Sequence, residues 1–164
     1  RVGGRSVYPY QPEGVGEYRD ATAGKWREDI APDCYRRGLY VFWQRTAPYP
    51  SMTLFDATSR ERCTIQRSRT NTPLQALALL NDPVVVEMAK ALARRMLSCC
   101  PENDIVQRVE MTFELALNRS PTADEAGRCA AFVEQLLASG QDEETVWFHF
   151  AGAVLNLDET ISIE

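Results

Sequence analysis

Two helix starts, ten residues apart, constrain this chain more than any other feature. In "TNTPLQALALLNDP" (70–83), Thr72 stands where an N-cap belongs. Pro73 suits the first helical position, whose N–H lacks a helical partner anyway, and Gln75 is placed to reach back to the cap. Asp82 and Pro83 repeat the arrangement. Proline breaks a helix interior, so one helix must end by Asn81 and another begin at Pro83. The first carries a short apolar stripe of Leu74, Leu77 and Leu80.

The same punctuation continues toward the C-terminus. The second helix is expected to run to about Ser98 with Val85, Met88, Leu92 and Met96 inward, until "CCPEND" breaks it. A third covers about Asp104 to Leu117, with Ile105, Val109, Phe113 and Leu117 on one face. "TADE" is a second capping box, Thr122 to Glu125. It opens a fourth helix to about Ala138, with Cys129, Phe132, Val133, Leu136 and Leu137 inward. A fifth spans about Glu143 to Leu155 and carries Val146, Trp147, Phe150 and Val154.

The N-terminal third reads differently. "VGGRSVYPYQPEGVGEY" has neither a 3.6- nor a 2-residue period and reads as extended or looping chain. "DCYRRGLYVFWQRT" places Tyr35, Leu39, Phe42 and Trp43 on one helical face, which predicts a helix at about 34–45 capped by Asp33 and stopped by Pro48 and Pro50. Met52 to Arg69 reads as irregular and basic. The expected fold is therefore all-α. It is a compact bundle of about five helices over 71–164, with an irregular Pro/Gly/Tyr-rich third wrapped on it, all forming one module (1–164) of a larger protein.

The overall charge of −5 provides no basic field to recruit nucleic acid. No apolar run approaches the roughly 20 residues of a membrane span. Charge is nonetheless segregated. Cys34 to Thr70 holds seven arginines, no lysine and two acids, a net +5, whereas 71–164 carries −9. Arginine is the side chain suited to bidentate pairing with carboxylate, sulfate or phosphate. The basic segment also leads into a helix N-terminus, where free N–H groups favour an anion. Arg60, Arg62, Arg67, Arg69, Asn71 and Thr72 are thus the candidate anion- or partner-binding residues. Pairing of these arginines with acidic helices of the same chain is the plainer reading. Tyr, Trp and Phe cluster beside them, a composition used at protein interfaces and sugar-binding surfaces and equally suited to packing.

The remaining chemistry is sparse. Cys34, Cys63, Cys99, Cys100 and Cys129 include no CxxC, and with a single histidine they suggest no zinc site. They read as free thiols, with a Cys34–Cys63 disulfide open in an exported protein. His149 in "VWFHF" reads as a packed or interfacial residue, and the paired acids Asp124–Glu125 and Asp158–Glu159 read as helix-end residues. The glycines lack phosphate-loop spacing, and without CxxCH this segment holds no c-type haem.

"GGRSVYPYQP", the block from "YRRGLYVFWQRTAPYP" through "LLNDP", and "VLNLDE" together resemble the C-terminal domain of unknown function found in large exported proteins of planctomycetes and their relatives. In those proteins it follows another uncharacterised domain, often with a cytochrome c domain near the N-terminus. The resemblance implies an extracytoplasmic location and upstream domains of the same polypeptide as partners. It supplies no catalytic residues. Three functional readings follow. The first is a non-catalytic module docking on its upstream domains. The second is part of a protein that acts on or binds anionic, sulfated polysaccharide. The third is an accessory domain of an oxidoreductase whose haem lies upstream.

Overall fold

Thr72 accepts from the Gln75 N–H at 3.3 Å while the Gln75 side chain accepts from the Thr72 N–H at 2.8 Å, so the first capping box forms as the residue types dictate. This comes from a computed structural model that describes residues 2–12, 26–45, 47–100 and 104–161. Among those residues there are seven α-helices and no strand longer than an isolated bridge. They are α1 (Pro50–Leu54), α2 (Pro73–Asn81), α3 (Pro83–Cys99), α4 (Ile105–Leu117), α5 (Ala123–Ala138), α6 (Glu143–Leu155) and α7 (Asp158–Ile161). The chain divides into two compact units, Arg1–Thr70 and Asn71–Glu164.

The second unit is the expected bundle. Asp82, Asp104 and Asp142 cap α3, α4 and α6 through side-chain oxygens, and Thr122 with Glu125 forms the second capping box on α5. Asn118 ends α4 in the left-handed conformation (φ 55°), a role that asparagine tolerates. α6 supplies the centre of the core with Val146, Trp147, Phe150, Ala151 and Val154, and the Trp147 and Phe150 rings meet edge-on at 5.5 Å. Against it α3 turns Ala89, Ala93 and Met96. The expected inward position of Met88 is corrected, since that residue is 49% exposed. Two alanines spaced four apart let α3 approach α6 closely, and an apolar ranking that prizes Met above Ala points to the wrong side. The expected inward positions of Phe132 and Leu137 on α5 are corrected too, since both are exposed and only Val133 of that helix is fully buried, and His149 on α6 is exposed as well. The α2 leucine stripe faces outward, with Leu74, Leu77 and Leu80 all more than half exposed, while Gln75 is buried.

Two polar ties reinforce this unit. Arg108 is buried on α4, donates to the Cys100 carbonyl at 2.9 Å, pairs with Glu143 and lies over the Trp147 ring. Arg119, just past α4, binds both Glu125 and Glu159 in bidentate fashion.

The first unit is built from aromatic stacking and main-chain bonds. The helix expected at about 34–45 does not form. Asp33–Tyr35 and Gly38–Tyr40 are single 3-10 turns, with Arg36 and Arg37 extended between them (ψ 152° and 147°). Val41 pairs with Val7 instead. The Val7 N–H donates to the Tyr40 carbonyl at 2.8 Å, and the Phe42 N–H donates to the Val7 carbonyl at 2.9 Å. Tyr8 stacks on Phe42, Trp26 meets Tyr8 edge-on, and Trp26 stacks on Tyr49. A helix would have forfeited these partners, so tertiary contacts override a pattern that Gly38 already weakens. Pro50 likewise opens α1 at its first position, where proline is welcome, inside a stretch expected to be irregular. All five cysteines are free, so the open Cys34–Cys63 bond is not made.

Candidate functional site

Asp56 follows the short helix α1 with φ 57°, a left-handed conformation that aspartate tolerates better than most residues. One of its carboxylate oxygens accepts from both the N–H and the hydroxyl of Thr70, at 2.8 and 2.7 Å. From inside the same stretch Arg67 donates Nε to the Asp56 carbonyl at 2.7 Å, and its Nη2 bonds the Phe55 carbonyl. The fifteen residues from Asp56 to Thr70 therefore form a closed surface loop with joined ends. Compact loops of about 6–16 residues with close ends are frequently functional.

Every residue from Thr58 to Asn71 is exposed. Arg60, also left-handed at φ 61°, places its guanidinium 4.6 Å above the Trp43 ring. Among the described residues, the guanidinium groups of Arg62 and Arg69 make no hydrogen bond or ion pair, and the Arg62 carbonyl accepts from the Thr64 hydroxyl at 3.5 Å. Ile65 lies between the two arginines with its side chain fully solvated.

The six sequence-derived candidates therefore fall into distinct roles. Arg60, Arg62, Arg67 and Arg69 belong to one loop. Arg67 is turned inward to main-chain carbonyls as its clasp, and the other three are presented outward. Asn71 and Thr72 belong to the second unit. Asn71 bonds Asp158 at 3.4 Å, and both polar groups of Thr72 serve the capping box. Sequence reading missed Asp56, the residue that closes the loop. Its signal was one of only two acids in a segment of seven arginines, with a threonine positioned before the next helix.

The geometry gives a basic surface loop on which Arg60, Arg62 and Arg69 are exposed. Guanidinium groups offer planar N–H pairs to carboxylate or sulfate. No helix among the described residues is long and apolar enough to cross a membrane.

A family model described as PSD1, protein of unknown function (DUF1553), matches residues 1–133. No curated protein and no solved structure matches the chain.

Proposed function

This chain belongs to the PSD1 family of proteins of unknown function (DUF1553), and from that premise we propose that it is a docking module whose Asp56–Thr70 loop binds an acidic surface of an upstream domain. The observation that carries this reading is the division of labour among the loop arginines. Arg67 and Asp56 spend their polar groups on closing the loop, whereas Arg60, Arg62 and Arg69 face outward on it. A preformed loop loses little conformational freedom on binding, so more of its interaction energy appears as affinity. The family resemblance supports an exported polypeptide in which any haem belongs to an upstream domain.

The test is binding of this chain to the upstream domains as salt is varied. Exposed charge pairing is screened within about 8 Å at physiological ionic strength, so affinity should fall steeply as salt rises. Unchanged affinity in an Arg60→Ala, Arg62→Ala, Arg69→Ala variant would refute the reading.

A second reading is favoured by Arg60 over Trp43, which places an aromatic face beside guanidinium groups. In it the same loop binds sulfated oligosaccharide. Salt-sensitive binding to sulfated but not neutral oligosaccharides would support it, and no binding to either at low salt would remove it.

A further inference from the structure

Between Thr58 and Thr70 there is one large apolar side chain, Ile65, near the middle of the clasped loop. It is fully exposed, with Arg60 and Arg62 before it in sequence and Arg67 and Arg69 after it. A single exposed isoleucine is ordinary on a protein surface and by itself means little. The loop around it is what singles it out. Its ends are fixed by Asp56, Thr70 and Arg67. Within it the Glu61 N–H donates to the Ser59 hydroxyl at 3.4 Å, and the Thr64 hydroxyl donates to the Arg62 carbonyl at 3.5 Å, one residue before Ile65. Arg62 and Arg69 therefore stand three and four residues from an isoleucine that packs on nothing in its own chain. A surface whose carboxylates reach those guanidinium groups also covers Ile65. Covering it with polar groups would cost them their water with no bond in return, whereas an apolar recess gains from its burial.

We propose that Ile65 is the apolar anchor of the docking contact, and that the loop's occupant is an acidic protein surface with an apolar recess that takes this side chain. The proposal rests on the docking reading above and sharpens it. Charge complementarity sets the acidic character, because Cys34 to Thr70 carries seven arginines against two acids. An apolar side chain at the centre with charged groups around it is the layout of a protein interface, with a dry core and a polar rim. Isoleucine is branched at Cβ and has few side-chain rotamers to lose when it is gripped. The arginines then govern the approach and its salt dependence, and Ile65 slows departure. A sulfated oligosaccharide answers the arginines with sulfate and hydroxyl groups and has no recess for a branched alkyl group. The two readings of this loop therefore give Ile65 opposite weight.

The test titrates the whole chain against the upstream domains of the same polypeptide, and separately against a sulfated oligosaccharide, at low and high salt. Ile65→Ser should weaken binding to the upstream domains by about tenfold or more at both salt concentrations, with the salt slope unchanged. Ile65→Val, which keeps most of the apolar surface, should lose no more than about fivefold. Salt-sensitive binding that Ile65→Ser leaves intact would overturn the anchor while the docking reading stands. No binding of the native chain to the upstream domains at low salt would overturn both. Binding to the oligosaccharide alone, indifferent to Ile65→Ser, would also overturn the proposal and favour the glycan reading. Because Ile65 is fully exposed, Ile65→Ser should keep the urea midpoint of the native chain. A lowered midpoint would show that the side chain is packed in solution and would overturn the premise.

Discussion

Asp56 and Thr70 are joined twice through a single carboxylate oxygen, which accepts from the Thr70 N–H at 2.8 Å and from its hydroxyl at 2.7 Å. This clasp holds the arginine loop closed. Asp56→Ala should therefore open the loop without unfolding the helical unit. Limited proteolysis should cut between Thr58 and Arg69 in the variant well before the native chain, with the far-UV helical signal unchanged. Equal cleavage rates would show that the clasp is dispensable.

Arg119 supplies an acid-sensitive tie. Its hydrogen bonds, with those from Thr122, hold the Glu125 carboxyl at about 2, and Arg119 also holds Glu159 below the usual carboxylate range. Groups with depressed folded pKa values stabilise the fold above their unfolded pKa near 4.5, and that contribution drains away as pH falls toward about 2. Arg119→Ala should lower the thermal midpoint at pH 7. The gap to the native chain should narrow as pH drops from 4.5 toward 2. A gap constant across that window would contradict this assignment.

The core prediction rests on α6. Phe150→Ala should cost about 3–5 kcal/mol in urea unfolding, as expected for a large buried side chain that leaves a cavity. Trp147→Phe should cost much less than Trp147→Ala. It keeps a ring in place and removes an indole N–H that is buried without an acceptor.

The two capping boxes offer a matched pair. Thr72→Ala and Thr122→Ala should each destabilise by roughly 0.5–2 kcal/mol, and the Ser variants should recover most of that loss. Unchanged urea midpoints for both Ala variants would argue that the caps are incidental.

The capping boxes and the Asp82–Pro83 start were legible before any coordinates because they depend on residues within four positions of one another. The starts of α2, α3 and α5 fall where Thr72, Asp82 and Thr122 place them, whereas the capping roles of Asp104 on α4 and Asp142 on α6 emerge only from the structure. The failed helix at 34–45 was illegible for the opposite reason. Val41 was claimed by Val7, more than thirty residues away, and no local pattern announces such a partner. The arginines of the loop stood out by composition alone. That Arg67 turns inward while Arg60, Arg62 and Arg69 stay outward depends on Asp56 and Thr70 meeting, which spacing does not reveal.

The docking account is tested most directly by the salt dependence of binding between this chain and the upstream domains. The native chain should lose affinity steeply as salt rises. The Arg60→Ala, Arg62→Ala, Arg69→Ala variant should bind weakly at low salt with a flattened dependence. A variant that binds as tightly as the native chain, with the same salt slope, would contradict the account.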